Sequence, residues 1–321
     1  MPDRLDGAAD ARATMRSMTA PDASLSPLAG GHSGRTFVSD VAGERTVVRI
    51  YPPDDPRGPD AVLVDEAVLH LVRGLLPVPD VLEVSRPDPG SGRPGLLVTS
   101  WVPGVPGDRL VGDLDEAGLA RLGAAMGATA ATLAAMPMLR PGPFVDAELR
   151  IGAFPDGGLA EWVEHRLVGW SAEERSTLAP VAEQAQDLLD DAGRACLVHS
   201  DLNPKNVLVD PATLGLTAVL DWEFAHAGHP WTDVGNLVRF ERHPAYVDAV
   251  LTAWTERHGG TRAALLDGAR AADLWALVDL AARAGSNPVA DRAEVLLRAI
   301  ADEGDVHAWP SGWGTGPPSG G

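Results

Sequence analysis

The chain has 321 residues, of which 45% are hydrophobic, and this length suits two modest lobes better than one small core. Lys and Arg number 26 against 45 Asp and Glu, so the net charge of −19 argues against a nucleic-acid partner, whose phosphates need basic residues. We find no signal peptide and no run of ~18 apolar residues, which predicts a cytoplasmic protein without a membrane partner. The single cysteine, Cys196, cannot form an internal disulfide, which agrees with that compartment.

The first third of the chain is rich in strand-like segments. After a flexible tail predicted for residues 1–20, the segments SLSPLAG, RTFVSD and ERTVVRIY predict three strands with turns between them. The next segment, DAVLVDEAVLHLVRG, spaces its apolar residues as a helix does and ends at Gly74. VLEVSR and LLVTSWV then predict two more strands, so we predict an N-terminal lobe over residues 21–102.

The pattern changes at Pro103, after which helical segments dominate. Alanine- and leucine-rich periodicity predicts helices over 115–135, 158–168, 172–192 and parts of 231–301. Two short apolar runs among them, NVLVD and LTAVLDW, are separated by PATLG and predict a small hairpin. We therefore predict a mostly helical second lobe over residues 103–303, with a ligand cleft between the lobes. A disordered tail rich in Gly and Pro is predicted over residues 304–321.

Polar residues at a characteristic spacing lie around this hairpin. LVHSDLNPKN places His199, Asp201 and Asn206 in the order H-x-D-x-x-x-x-N, and Asp221 follows Asn206 by fifteen residues. Asp201, on a loop before a strand, can accept the proton of an attacking hydroxyl, as phosphoryl transfer requires. Asn206 and Asp221, at the two ends of the hairpin, offer the oxygen ligands that Mg²⁺ prefers. Taken singly, each of these residues also suits a capping role in a loop.

Two segments, HSDLNPKN and VLDWEFAHAGHPWTDVGNL, resemble the aminoglycoside phosphotransferase family, and the resemblance covers roughly residues 24–300. That family shares the protein-kinase-like fold with choline kinases and related small-molecule kinases. The resemblance implies an α+β, bilobal, protein-kinase-like fold. Its N-lobe would hold an antiparallel sheet with one helix, and its mostly helical C-lobe a small catalytic hairpin. ATP and Mg²⁺ are the implied cofactors, although the residues do not distinguish ATP from GTP.

The resemblance also assigns roles to the polar residues. Asp201 corresponds to the catalytic aspartate, and Asn206 and Asp221 correspond to the metal ligands. His199 is expected to brace the loop rather than to act as an acid or a base. Asp233, in PWTDVGNL, is expected to hold the catalytic loop from the first turn of the following helix, where an acidic residue suits the helix dipole.

The N-lobe is expected to bind the nucleotide. The turn LAGGHSGRTF contains small residues that allow backbone N–H groups to approach phosphates, namely Gly30, Gly31, Ser33 and Gly34. An ordinary hairpin turn would have the same composition. By their order along the chain, Ser100, Trp101 and Val102 are expected to present their backbone to the adenine edge.

Arg49 stands on the third strand, where a protein kinase has its phosphate-binding lysine. A guanidinium keeps the charge but changes the geometry of the phosphate contact. Glu66, in the next helix, is the expected ion-pair partner of Arg49, with Asp65 as the competitor. Arg49 and the irregular glycine turn also support an alternative function, a catalytically silent nucleotide-binding regulator.

The acceptor is predicted to be a small molecule. Asn203 stands where protein kinases usually have lysine, and only eleven residues separate Asp221 from Asp233, too few for an activation segment. The net charge favours a cationic acceptor, such as an aminoglycoside or another antibiotic, or it serves solubility alone. Choline, homoserine and sugars are the alternative acceptors, and the sequence does not indicate an oligomeric state.

Two further features of the sequence are candidates for acceptor binding. Glu223, next to the hairpin, could reach a second metal ion, a substrate ammonium group or neither. Residues 136–170 resemble a substrate-side insertion that contains several acidic residues able to bind a cation, namely Asp146, Glu148, Glu161 and Glu164. Tryptophans near this insertion and the hairpin could stack on a sugar ring, with core packing as the default role.

Overall fold

The computed structural model describes residues 23–28, 36–154 and 157–314. The predicted tail over residues 1–20 and the predicted glycine turn lie outside these residues, and so do Gly30, Gly31, Ser33 and Gly34. Within the described part, no helix is long and apolar enough to cross a membrane.

The chain divides into two compact units. The first unit comprises the described residues up to Gly74, together with Val78–Val102 and Val145–Arg150. The second unit comprises Leu75–Pro77, Pro103–Phe144 and the described residues from Ile151 onward.

The first unit is built on a five-stranded antiparallel sheet with the spatial order β1-β2-β3-β5-β4. The strands are β1 (Ala23–Pro27), β2 (Thr36–Val41), β3 (Glu44–Tyr51), β4 (Val81–Ser85) and β5 (Gly95–Ser100). Helix α1 (Ala61–Val72) lies between β3 and β4 in the chain and contacts β4 and β5. Both turn residues between β2 and β3, Ala42 and Gly43, have positive φ, as a tight hairpin requires. The order of three strands, one helix and two strands is the one predicted.

The second unit contains two small antiparallel sheets. The sheet with the order β11-β10-β6 consists of β6 (Val105–Pro106), β10 (Val207–Val209) and β11 (Leu216–Val219). The sheet with the order β7-β9-β12-β8 consists of β7 (Pro137–Met138), β8 (Gly142–Pro143), β9 (Ala195–Val198) and β12 (His226–Gly228). The first of these sheets contains the predicted hairpin.

Helices make up most of the second unit. They are α2 (Asp108–Val111), α3 (Glu116–Ala134), α4 (Leu159–Arg166), α5 (Ala172–Asp190), α6 (Thr232–Val238), α7 (Pro244–His258), α8 (Arg262–Ala281) and α9 (Pro288–Glu303). A core of buried leucines, valines and alanines joins α4, α5, α8 and α9. α3 and α7 approach each other closely, since a Cβ at Gly123 or Gly127 would lie 2.5 Å from a carbonyl oxygen of α7.

The prediction of a disordered C-terminal tail is wrong for its first part. Among residues 304–314, Ala308 is only 3% exposed, and Trp309 and Trp313 pack against the helical core. The remainder of that tail, residues 315–321, lies outside the described part. Gly and Pro content alone predicted disorder, whereas each tryptophan contributes a large apolar surface that favours packing.

Stacked cations and rings hold this C-terminal segment. The Arg242 guanidinium lies 4.4 Å from the ring centroid of Trp309, and the Trp309 and Trp313 rings meet edge to face at 5.0 Å. On the other side, Arg292 lies 4.7 Å from Trp313 and 4.9 Å from Phe240. Arg242 and Arg292, which lie in different parts of the chain, thus both form cation–π contacts with tryptophans of the C-terminal segment.

Candidate active site

The hairpin β10–β11 brings Asn206 and Asp221 together. Val207 pairs with Val219, and the Leu220 N–H donates to the carbonyl oxygen of Asn206 (2.8 Å). Asn206, which precedes β10, therefore lies opposite Leu220, and Asp221 comes directly after it. Asp221 has the left-handed φ of +62°, which turns the chain sharply at the end of the hairpin.

The loop between β9 and β10 is held from the start of α6. The buried carboxylate of Asp233 accepts the His199 N–H at 3.0 Å and the Ser200 N–H at 2.8 Å. Ser200 has the left-handed φ of +66°, an unfavourable conformation that the two hydrogen bonds help to hold. Burial raises the pKa of Asp233, while the two N–H donors act in the opposite direction.

His199 links the same loop to the end of the hairpin. Its ring is fully buried, and Nε2 lies 2.8 Å from the carbonyl oxygen of Leu220. Nδ1 accepts the backbone N–H of Asp201 at 3.3 Å, which leaves Nε2 as the ring nitrogen that can donate to the Leu220 carbonyl oxygen. The ring also packs on Trp222, with centroids 4.7 Å apart. Both ring nitrogens are engaged with backbone groups, which supports a bracing role.

Asp201 is oriented by two side-chain amides. Asn203 Nδ2 donates to Oδ1 at 2.9 Å, and Asn206 Nδ2 donates to Oδ2 at 2.7 Å. Both amides also donate to the Asp201 carbonyl oxygen, at 3.0 Å from Asn203 and 2.9 Å from Asn206. The side chain of Asp201 is 26% exposed, so its carboxylate is fixed in position but still reachable from solvent.

Asn206 and Asp221 fit the chemistry of a Mg²⁺ ion. Asn206 turns its amide nitrogen toward Asp201, which directs the amide oxygen away from that carboxylate. Asp221 is half-buried beside it. In the described part of the chain, no three His, Cys, Asp or Glu residues are grouped to hold a metal ion. An amide oxygen and a carboxylate suit an ion that takes few protein ligands and fills its shell with phosphate and water oxygens.

In the first unit, the ion-pair partner of Asp65 is Arg57 rather than Arg49. Asp65 is 4% exposed and accepts the Tyr51 hydroxyl at 2.6 Å and Arg57 Nη1 at 2.8 Å. Asp65 therefore forms its ion pair with Arg57. Arg49 lies on β3 with its guanidinium 5.5 Å from the Tyr51 ring centroid, and its pairing with Glu66, which is half-buried on α1, stays a prediction.

Ser100, one of the residues expected at the adenine edge, is hydrogen-bonded to Asp80. Ser100, the last residue of β5, donates its backbone N–H to the carbonyl oxygen of Asp80 at 2.8 Å. The Ser100 hydroxyl oxygen accepts the Asp80 N–H at 2.9 Å. The Ser100 N–H is thus engaged within the chain, and the contact of the Ser100, Trp101 and Val102 backbone with the adenine edge stays a prediction. The Trp101 ring carries the guanidinium of Arg45 at 4.6 Å.

Three of the four acids named in residues 136–170 are engaged within the chain. Asp146 accepts the backbone N–H groups of Glu148 and Arg150, both at 3.1 Å. Glu161 accepts the Gly157 N–H at 2.8 Å, and Glu164 pairs with Arg175 at 2.9 Å. These contacts close turns and join helices, so they give the three acids structural roles.

The tryptophans that are candidates for sugar stacking lie in the protein core or pack against it. Trp170 and Trp222 are buried, and Trp222 Nε1 donates to the Val219 carbonyl oxygen at 3.1 Å. Trp162 packs against the helical core and donates to the carbonyl oxygen of Trp275 at 2.9 Å. Their default role in packing is therefore the one observed.

Sequence reasoning missed Lys205. Its Nζ lies 3.8 Å from Asp201 Oδ2, and its backbone N–H donates to Asn203 Oδ1 at 3.1 Å. A signal was present, since Lys205 is the single lysine among the 26 basic residues. Glu223, in the short 3₁₀ helix Trp222–Phe224, is half-buried, and its role stays a prediction.

His229, between β12 and α6, predicts a pH-dependent stability. Its Nδ1 accepts the Trp231 N–H at 3.3 Å, and Nε2 lies 3.2 Å from the Leu189 carbonyl oxygen, so a second proton has no acceptor. Burial lowers the pKa of His229 to about 4. Between pH 6.5 and 4 the unfolded chain takes up a proton at His229 that the folded chain does not take up. The free energy of unfolding therefore falls by about 3 kcal/mol as the pH decreases over this range.

We expect His229→Asn to be less stable than the wild type at pH 7 and to lose less stability on acidification. Urea unfolding at several pH values between 7 and 4 measures this. His70→Asn, at an exposed position of α1, is the matched control and should follow the wild type. Parallel pH profiles for His229→Asn and the wild type would contradict the prediction.

A family model described as the phosphotransferase enzyme family matches residues 24–266. Among curated proteins, acyl-CoA dehydrogenase family member 11 of Mus musculus is 39% identical over 59 residues, which are 18% of this chain and 8% of that protein. Its Rattus norvegicus counterpart is 38% identical over 55 residues, 17% of this chain and 7% of that protein. The match thus spans less than a tenth of these curated relatives.

Several solved structures are similar to this protein over most of the chain. Aminoglycoside phosphotransferase APH(4)-Ia, in a ternary complex with ADP and hygromycin B, is 22% identical, with 91% of this chain and 98% of that chain covered and a TM-score of 0.63. The GDP complex of an aminoglycoside 2′-phosphotransferase-IIIa is 18% identical, with 94% and 98% covered and a TM-score of 0.66. A microcompartment-associated aminopropanol kinase is 21% identical, with 92% and 97% covered and a TM-score of 0.61.

These similarities confirm the predicted α+β, kinase-like fold and the resemblance to aminoglycoside phosphotransferases. At such low identities the solved structures establish the fold, whereas the family model covers 243 of the 321 residues, including the loop and hairpin described above. The chain therefore belongs to the phosphotransferase enzyme family.

Proposed function

We propose that this protein transfers the γ-phosphoryl group of ATP to a hydroxyl group of a small molecule, with Mg²⁺ as the cofactor. The observation that carries this proposal is the arrangement around Asp201. Two amides hold its carboxylate, and one of them, Asn206, lies beside Asp221 at the end of the hairpin. A base fixed next to a pair of oxygen ligands is what phosphoryl transfer to a hydroxyl requires.

In the proposed reaction, Asp201 orients the acceptor hydroxyl and takes up its proton. The bond from the acceptor oxygen to the γ-phosphorus forms while the bond from that phosphorus to the β–γ bridging oxygen breaks, which leaves ADP. Bound Mg²⁺ would be held by Asn206 and Asp221 and would neutralise phosphate charge. Since the loop is already fixed by Asp233 and His199, little reorganisation is needed, and positioning supplies much of the acceleration.

The nucleotide contacts proposed for the first unit are those of Arg49, Glu66, Ser100, Trp101 and Val102. ATP is the proposed donor because it is the common donor of this chemistry. The solved structures with this fold include complexes with ADP and with GDP, so both nucleotides belong in the test.

A cationic acceptor is the favoured class. The net charge of −19 attracts cations, and two proteins of the same fold are described with amine-bearing small molecules, hygromycin B and aminopropanol. Because Asp146, Glu161 and Glu164 are engaged within the chain, the proposal does not rest on them. Aminoglycosides and other antibiotics come first, with choline, homoserine and sugars as the metabolic alternatives.

Nucleoside diphosphate release by the purified protein tests the proposal. The donors are Mg²⁺ with ATP or with GTP, and the acceptors are aminoglycosides, peptide antibiotics, amino alcohols, homoserine and sugars. We expect ADP release that depends on one acceptor class and on Mg²⁺. If Mg·ATP raises the melting temperature but no acceptor is phosphorylated, the silent regulator becomes the better account. If neither nucleotide shifts the melting temperature, the proposed function is wrong.

A further inference from the structure

Lys205 is the single lysine of a chain whose other 25 basic residues are arginines. It lies in the short 3₁₀ helix Pro204–Asn206, four residues after Asp201, and its Nζ is 3.8 Å from Asp201 Oδ2. Its side chain is 45% exposed. A compact, mobile ammonium group therefore stands beside the proposed base.

A structural role explains this arrangement poorly. Both carboxylate oxygens of Asp201 already have closer amide donors, at 2.9 Å from Asn203 and 2.7 Å from Asn206. An ion pair of 3.8 Å between two solvent-accessible side chains adds little to stability. Lys205 is thus needed neither to orient Asp201 nor to hold the loop.

The backbone around Lys205 is nevertheless fixed. Asn203 caps the 3₁₀ helix by accepting the Lys205 N–H at 3.1 Å, and the Asn206 N–H donates to the Asn203 carbonyl oxygen at 3.0 Å. The flexible lysine stem therefore starts from a rigid point next to Asp201. An ammonium group on such a stem can turn its three donors to single oxygens, whereas a guanidinium presents a planar fork.

We propose that Lys205 is a catalytic residue that binds the oxygens of the phosphoryl group during its transfer. This inference rests on the proposed function. As the acceptor oxygen bonds to the γ-phosphorus and the bond to the bridging oxygen of the nucleoside triphosphate breaks, Asp201 takes the hydroxyl proton. Lys205 keeps its own proton and its charge throughout, and it exchanges the long contact with Asp201 for hydrogen bonds to the phosphoryl oxygens. A preset cation at this place stabilises the charge of the transition state.

Amine acylation tests the contact without relying on turnover. Since Lys205 is the single lysine, an acylating reagent has two amine targets in the purified chain, Lys205 and the N-terminal amine, and mass spectrometry separates them. With Mg²⁺ and a non-hydrolysable ATP analogue, we expect Lys205 to react ~10-fold more slowly, because an ammonium group that donates to phosphate oxygens is not free to react. Mg·ADP, which lacks the γ-phosphate, should protect much less, and the N-terminal amine serves as the internal reference.

The outcomes separate this inference from the proposed function. If the analogue raises the melting temperature but Lys205 reacts as fast as before, or ADP protects equally well, the assignment of Lys205 is wrong and the proposed function stands. If neither nucleotide shifts the melting temperature or the labelling, both are wrong.

Turnover of variants provides a second readout once an acceptor is known. We expect Lys205→Ala to lower kcat by ~10²-fold with little change in the KM of the acceptor, since the contact is made to the transferred group. Lys205→Arg should retain part of the activity, and added ethylamine should partly restore Lys205→Ala but not Asp201→Asn. An unchanged kcat for Lys205→Ala, or the same loss for Lys205→Arg with no response to ethylamine, would overturn the proposal.

Discussion

Replacement of Asp201 by Asn is expected to lower turnover by ~10²–10⁴-fold, the usual contribution of a general base. The amide cannot take up the proton of the acceptor hydroxyl. The amide donors of Asn203 and Asn206 would then face one oxygen and one NH₂ group instead of two carboxylate oxygens. The oxygen can accept from one of these donors, whereas the NH₂ group cannot accept from the other. Nucleotide binding should persist, because Asp201 is not among the residues proposed to hold the nucleotide.

Acceptor-dependent ADP release measures this effect, and the Mg·ATP-dependent shift of the melting temperature verifies that the variant still binds nucleotide. Asp210→Asn is a matched control in the turn of the same hairpin, where Asp210 accepts the Ala212 N–H at 2.9 Å. It removes one carboxylate charge from the same element and should leave turnover near the wild-type value. Near-normal turnover of Asp201→Asn would show that Asp201 is not the base.

Replacement of Asp273 by Ala is expected to destabilise the protein by ~3–5 kcal/mol, because it leaves a buried guanidinium without its carboxylate. Arg239 donates to Asp273 through Nε at 2.8 Å and through Nη2 at 2.7 Å, and both side chains are less than 10% exposed. Asn236 Nδ2 donates to the same carboxylate at 3.2 Å. The pair joins α8 to the end of α6, the helix whose first turn carries Asp233, so the variant should also lose activity through the catalytic loop.

Urea unfolding gives the change in the free energy of unfolding. The double variant Arg239→Met, Asp273→Leu is the control, since it removes both charges and fills the space with apolar groups. We expect it to be more stable than Asp273→Ala, although Asn236 loses a partner in both. If Asp273→Ala unfolds at the same urea concentration as the wild type, the ion pair does not stabilise the protein.

The order of the elements and the local part of the site could be predicted from the sequence. Strand and helix periodicities lie within each segment, so they predict three strands, α1 and two further strands without reference to any long-range contact. The proximity of Asn206 and Asp221 could also be predicted. The two short strands that separate them can pair only as a hairpin, which brings their ends together.

The choice of side-chain partners was decided by the tertiary structure. Asp65 and Glu66 are neighbours on α1, and the position of Arg57 in space, rather than any sequence pattern, gives Asp65 its ion pair. Trp309 and Trp313 pack against the helical core, and their rings also contact Arg242 and Arg292 from elsewhere in the second unit.

For Lys205, one property could be predicted from the sequence and another only from the folded structure. Its uniqueness could be read from the sequence, but its distance to Asp201 depends on how the 3₁₀ helix directs its side chain. Periodicity and turn chemistry act over a few residues and are therefore visible in the sequence. Ion pairs, stacked rings and buried hydrogen bonds join residues that are far apart in the chain, and only the complete fold determines which of them meet.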